Sequence, residues 1–290
     1  MKRVPFSLIL VSALITLAIY LFVSAPPPLP EAGARVGRTI PINDVLTLVA
    51  AENDIARALY TNDIVGAGKK VGIAFDEKWR EPDVQAGPLP ALFLRESAMS
   101  LEKSPVRLSL FLGSDFPISS SNLFKGKQQD VFQKIRQTQK PEFFFAEDTQ
   151  LYTAMFPDYA SVQGCVDCHN AHGDSPKKDW KLKDMMGATT WAYPSKEVTY
   201  EEAVQILGAV RQGFREAYEK FLAKTKTFSN PPEIGDRWPK EGYYLPSSEV
   251  FLAEFSRRSS GGTVQRLLVM AQPAAPSSRG PDASASRPRD

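Results

Sequence analysis

The chain has 290 residues, with 35 Lys and Arg against 33 Asp and Glu and a formal net charge of +2. So even a balance gives no electrostatic case for binding nucleic acid, which calls for a concentrated basic face. Hydrophobic residues make up 43% of the chain, enough for a real core, and the length beyond the N-terminal segment suits one large or two small domains.

Met1, Lys2 and Arg3 place positive charge ahead of an apolar run from Phe6 to Ala25, interrupted only by Ser7, Ser12, Thr16, Tyr20 and Ser24. About 20 residues of helix at 1.5 Å per residue span a hydrocarbon core of roughly 30 Å, so residues 1–25 read as a transmembrane signal anchor. Cleavage after Ala25 would leave Pro26, Pro27 and Pro28 at the new N-terminus, a poor context for signal peptidase, and the anchor is expected to stay. Positive charge on the short side places it in the cytoplasm. The bulk of the chain is then periplasmic, held to the inner membrane by a single pass. Residues 26–39 form a proline-rich linker.

Asn43 reads as the N-cap of a helix over Asp44 to Tyr60, in which Val45, Leu48, Val49, Ile55, Ala56 and Leu59 share a face, ended by Gly66, Gly68 and Gly72. A second helix spans about Pro90 to Lys103 and carries Met99. Val106 to Leu112 mostly alternates, as a strand stopped by Gly113. A short helix around Gln128 to Gln137 precedes strands over Phe143 to Glu147 and Leu151 to Phe156. A polar loop with two cysteines follows, then a returning strand from Gly187 to Tyr193. Thr199 with Glu202 makes a capping box that opens a long helix to about Thr225. Its seam of Ala203, Leu207, Val210, Phe214, Ala217 and Phe221 is expected to dock on the chain's own sheet, a homodimer contact being the alternative. Pro231 to Pro246 reads as irregular, packed by Trp238, Tyr243 and Tyr244. Val250 to Ser256 and Thr263 to Ala271 read as two short helices in a C-terminal extension, 229–271. Ala, Ser, Pro and Arg dominate the disordered tail expected over 272–290. Helices framing a small antiparallel sheet argue for an α+β fold.

Cys165, Val166, Asp167, Cys168 and His169 form the C-x-x-C-H signature of covalent c-type haem attachment and hold both cysteines of the chain. Two thiols three residues apart can add to the two vinyl groups on one porphyrin edge, and the adjoining imidazole then reaches the iron from one face. Cys165 and Cys168 are therefore the expected tethers of one covalently bound haem c, and His169 its proximal ligand. Other uses of the spacing fit less well. A thioredoxin-like dithiol wants a βαβ context and a helix N-terminus, whereas Pro157 and Gly164 precede this motif. A zinc site from Cys165, Cys168, His169 and His172 would need consecutive residues to converge on one ion. A disulfide across two residues is strained and staples almost nothing. Export, read from the N-terminus, leads to the compartment in which bacteria attach c-type haem.

Cys165 to His172, then Ser175, Pro176 and Lys177, then Asp179, Trp180 and Lys181, with Asp184 and Gly187, resemble the haem segment of a bacterial family of extracytoplasmic, PAS-like c-type haem domains. The run from Gly113 to Ile118, ahead of Asn122 and Phe124, resembles the loop before that family's short helix. The likeness covers roughly residues 40 to 195. It implies a PAS-like antiparallel sheet flanked by helices within a domain over 40–228, haem at the sheet edge, and a sensory or electron-transfer role. Members occur alone or as the input half of membrane sensor kinases and nucleotide cyclases, but no kinase or cyclase motif follows residue 195 here.

The sixth iron position separates the functional readings. His172 is only three residues from His169, so their Cα atoms lie at most about 10 to 11 Å apart, short of the roughly 12 Å that opposed ligands need. It is expected to meet a propionate or water. Some family members use a distant cysteine, which this chain lacks. Thioether from Met99, Met155, Met185 or Met186 remains, Met99 being the candidate able to approach the far face; an open iron is the competitor. Lys177, Lys178, Lys181 and Lys183 either neutralise propionates or form a solvated loop, while Trp180 packs on the ring edge. The leading expectation is a monohaem protein in redox sensing or single-electron transfer, with a redox or signalling protein as partner. The alternative is a gas-binding haem sensor. An enzyme of peroxidase type is disfavoured, because no His/Arg distal pair can be built when both histidines sit in one loop.

Overall fold

A computed structural model describes residues 14–17, 20, 39–238 and 244–271. The chain divides into two units, Met1–Arg38 and Thr39–Asp290. Of the first, residues 14–17 and 20 are helical and exposed, so the expected anchor and linker lie almost wholly outside the described residues, as does the expected tail. Among the described residues no helix is long and apolar enough to cross a membrane.

In the second unit β1 (Thr39–Pro41) runs straight into α1 (Ile42–Ala58), which buries Val45, Leu46, Leu48, Val49 and Ala56. The cap expected at Asn43 is not used. The helix begins two residues earlier, at Ile42, whose N–H donates to Lys196 O at 2.9 Å, and the Asn43 carbonyl instead accepts from Thr47 Oγ1 at 2.7 Å. Nor does Gly66 end it: a π-helical turn over Leu59–Val65 leads into α2 (Gly66–Lys70), and the run stops at Gly72, whose φ of +90° costs a glycine little. β2 (Ala74–Asp76) and β3 (Ala86–Pro88) pair in parallel. α3 (Pro90–Leu101) starts with Pro90, whose missing N–H is no loss in a first helical turn.

β4 (Ser109–Gly113) begins later than the apolar alternation from Val106. α4 (Lys127–Thr138) and β5 (Glu142–Ala146) follow, then β6 (Leu151–Tyr159), α5 (Gln163–Ala171) and β7 (Met185–Tyr193). The four longer strands form one antiparallel sheet in the order β4-β7-β6-β5. Side chains alternate across it. Leu110, Leu112, Tyr152, Ala154, Phe156, Trp191 and Tyr193 join a large core with α1 and α3, while Phe111, Phe144, Met155 and Ala188 meet Phe132 and Ile135 of α4 on the other face. Trp191 is fully buried between Leu110 and Ala154. The result is α+β, as expected.

β8 (Glu197–Thr199) pairs with β1 and leads into α6 (Tyr200–Thr225) through the expected capping box: Glu202 N–H donates to Thr199 Oγ1 at 3.1 Å, and Thr199 N–H donates to the Glu202 carboxylate at 2.8 Å. Thr199→Ala should cost about 1 kcal/mol by urea denaturation, since one helix-end donor loses its partner. The α6 seam is buried inside the chain, but against helices rather than the sheet. Phe214 lies 6.3 Å from Phe93 of α3, and a Cβ on Gly213 would stand only 3.2 Å from Ser97 O, so the two helices pack closely. With that seam consumed, it offers no dimer face.

β9 (Glu233–Gly235) and β10 (Tyr244–Pro246) pair within the stretch read as irregular, of which 239–243, with Tyr243, lie outside the described residues, and one helix, α7 (Ser248–Ala271), replaces the two short ones. It runs through Gly261 and Gly262 because its inner face is held on both sides of them. Phe251 and Phe255 are fully buried before the pair, and after it Thr263 Oγ1 donates to buried Glu52 of α1 at 2.8 Å.

Candidate haem site

The cysteine motif lies on α5, a two-turn helix inserted between β6 and β7, where a polar loop was expected. On a helix, residues three and four apart share a face. Cys168 and His169 therefore stand one turn from Cys165, on the same side of α5. Val166 points inward, buried with Ala160 and Trp180, and Cys165 and Met186 pack against this small cluster.

Backbone bonds close the base of the insertion: Ala160 N–H donates to Asp184 O and Lys183 N–H to Ala160 O, both at 2.9 Å. Asn170 then clamps the returning chain. Its Nδ2 donates to Trp180 O, and its Oδ1 accepts from Trp180 N–H, both at 2.9 Å. Beyond the helix, His172 Nδ1 accepts from Asp174 N–H at 3.1 Å, so the ring proton sits on Nε2 and is donated to Glu77 Oε2 at 3.0 Å. His172 thus ties α5 to the segment after β2.

Both cysteines are free thiols. Cys168 is exposed, yet partial desolvation, then the Glu77 carboxylate, holds its thiol above the usual value, against the pull of Lys69. That is the opposite of the lowered pKa a reactive dithiol requires. His169 is half-buried, and burial followed by the nearness of the His172 imidazole lowers its pKa, with Asp158 acting the other way. Its lone pair is therefore free at neutral pH. The same shift makes protonating His169 costly in the folded chain, so its contribution to stability is retained above about pH 6.5 and falls as pH drops through the lowered pKa.

Two buried nitrogens here, His169 Nδ1 and Trp180 Nε1, have no partner among the described residues. Two free thiols one turn apart, beside a neutral imidazole with an unpaired buried nitrogen, fit covalent haem. Cys165 and Cys168 would hold the porphyrin and His169 the iron. Among the described residues no group of three His, Cys, Asp or Glu side chains is placed to hold a bare metal ion.

Trp180 is 4% exposed and packs on Val166 of the motif helix and on Ala160, rather than standing out as a free ring edge. The lysines divide. Lys177 pairs with Asp179 and lies 4.8 Å over the Trp180 ring, whereas the Lys181 side chain is exposed, with its backbone N–H donating to Asp184 Oδ2 at 2.9 Å. Met99 is not brought to α5: it lies on α3, where its Sδ accepts from Arg80 Nη2 at 3.4 Å. Met186 is the thioether packed against the same small cluster as Cys165.

The two segments that carried the family resemblance meet in space. Ser114 Oγ donates to Met186 O at 2.5 Å, and Phe116 sets its edge on Trp180 with ring centres 6.3 Å apart. Sequence reasoning missed Arg57, Asp158 and Glu77. Arg57 of α1 pairs with Asp158 of β6 at 2.5 Å and stands close enough to interact electrostatically with Cys165, while Asp158 acts on His169. None of the three carries a local signal, because each is defined by a partner about a hundred residues away. Comparison with family models, curated proteins and solved structures found no match to this chain.

Proposed function

We propose that this chain is a membrane-anchored, extracytoplasmic monohaem c-type protein acting in redox sensing or single-electron transfer, built on a PAS-like sheet. The observation that carries the reading is the shared face of Cys165, Cys168 and His169 on α5, with both thiols free and the imidazole kept neutral. A bound haem supplies one-electron chemistry at iron. The chain's own residues hold and orient it: the Asn170 clamp and the His172–Glu77 bond fix α5 against the sheet and the β2 segment, and Val166 and Trp180 exclude water beneath the motif. The four-stranded antiparallel sheet with helices on both faces supports the PAS-like reading. The apolar run from Phe6 to Ala25 supports anchoring.

The test is expression with its N-terminal segment in a bacterium that has cytochrome c maturation. Haem stain should survive denaturing electrophoresis, in the membrane fraction. The reduced spectrum with carbon monoxide then decides the role. A low-spin spectrum that carbon monoxide leaves unchanged belongs to an electron carrier, and rapid carbon monoxide binding to an open iron belongs to a gas sensor. Met99→Ala should change neither, because its sulfur is engaged on α3. A chain that emerges without covalent haem overturns the proposal.

A further inference from the structure

The main sheet ends on β5, its outermost strand beyond β6. An edge strand carries a row of backbone N–H and C=O groups with no neighbour, a template for another strand. Among the described residues no backbone hydrogen bond outside the β5–β6 pairing reaches residues 142–146. The opposite edge differs, because past Gly113 the backbone of Ser114 is taken up by Asn122 and Phe124 at 2.9 and 3.1 Å. The one charge on β5, Glu142, is drawn back to Lys134 of α4 at 2.7 Å, and Pro141 stands just outside the strand. Phe143 and Phe145 are each 38% exposed. Two residues apart, they share a face of the sheet, beside Phe156 and Tyr152 of β6 with ring centres 5.9 and 4.8 Å away. With Pro41, Asn43, Lys196 and Glu197 they line a groove along this edge.

We propose that β5 pairs antiparallel with β5 of a second copy of this chain, about a twofold axis through Phe144. A twofold axis normal to the sheet keeps every side chain on its own face, and residues opposite one another in an antiparallel ladder share a face, so the axis must fall on a residue. Phe144 is the midpoint of the strand, and only this register overlaps all five residues. It sets Phe143 of each copy opposite Phe145 of the other, and Glu142 opposite Ala146. An axis on Phe143 would instead set Phe144 opposite Glu142, and an axis on Phe145 would set Phe143 opposite Glu147. Aromatic pairs across a ladder stabilise it, whereas an aromatic ring set against a carboxylate does not.

The flanks of the strand select a like copy as the occupant. Lys140 and Asp148 are exposed, stand two residues beyond opposite ends of β5, and make no salt bridge among the described residues. Asp148 Oδ1 accepts the neighbouring Thr149 N–H at 2.9 Å, which leaves its second oxygen outward. The axis through Phe144 brings Lys140 of each copy to Asp148 of the other, with exposed Glu147 beside it, so the attraction is made twice. The other charges nearby are already matched: Glu142 has Lys134, and the groove wall carries Lys196 and Glu197, one of each sign. An edge that is basic beyond one end and acidic beyond the other complements itself when reversed, which is what antiparallel pairing does.

The test is sedimentation equilibrium of the full chain in a density-matched mild detergent, over a wide range of concentration. The chain should pass from monomer to dimer. Lys140→Glu alone and Asp148→Lys alone should each raise Kd about tenfold, because each creates two like-charge contacts in a symmetric dimer. Lys140→Glu with Asp148→Lys in one chain should return Kd close to the wild-type value, since the pairs are restored with their signs exchanged. Phe145→Ala should weaken the dimer about tenfold with the circular dichroism spectrum unchanged. Lys226→Glu, past the end of α6, should alter nothing. A chain that stays monomeric throughout overturns the proposal and leaves the edge to a strand of a different protein. A dimer that ignores the single charge reversals also overturns it, by placing the contact elsewhere, and so does a doubly exchanged chain no tighter than the single variants. Association is read without reference to haem, so its outcome and that of the haem reading are independent.

Discussion

Cys165→Ala together with Cys168→Ala is expected to abolish covalent haem entirely, leaving no stain after denaturing electrophoresis. Each thioether requires its own sulfur, and the chain has no third cysteine to substitute. Either single variant should keep one tether and show reduced, still covalent, stain. His169→Ala removes the proximal nitrogen and should shift the spectrum even where thioethers form. The fold should survive these changes. Cys168 is exposed, and Cys165 only joins the edge of a small cluster, so the loss of stability should be about 1 kcal/mol. A double variant that retained covalent haem would show that other residues make the attachment.

The largest effect on stability should come from Gly187→Ala. A Cβ at this position would lie 2.2 Å from Gly113 O, a backbone atom of β4 that cannot swing away as a side-chain tip can. Relief requires parting the end of β4, an edge strand, from β7, next to the Ser114 bond to Met186. The expected cost is about 3 kcal/mol, or a fall in Tm of roughly 6 to 12 °C for a domain of this size. Gly208→Ala is the contrast. It lies in α6, where an added Cβ would meet nothing within 4 Å, and should stabilise by about 1 kcal/mol through helix propensity alone. Thermal unfolding of the two variants side by side checks both signs, and a Gly187→Ala melt equal to wild type would mean that the strands separate at little cost.

Several elements were legible because their causes are local. Periodicity located the α3, α4 and α6 helices and the strands of the main sheet to within a few residues, and a threonine with a glutamate three positions on fixed the start of α6. Structure and expectation part where distant contacts outweigh local preference. Gly261 and Gly262 break an isolated helix, but burial of Phe251 and Phe255 and the Thr263 bond to Glu52 hold α7 through them. Gly66 likewise fails to stop a run that Leu59, Tyr60 and Ile64 anchor in the core.

The candidate site divides in the same way. The sequence by itself determined the two thiols, the adjacent imidazole and their spacing, because attachment to one porphyrin edge is a matter of covalent reach along a few residues. The tertiary structure alone decided that the motif is helical and that Trp180 lies beneath it. It also decided that His172 is bound to Glu77 rather than free, and that Arg57 and Asp158 stand beside Cys165 and His169. Met99 meets Arg80 by the same cause, since α3 packs on α6. Spacing along a chain can specify a bond made within one helical turn. Pairings such as Arg57 with Asp158, across 101 residues, exist only once burial of the sheet and helix faces has brought their elements together.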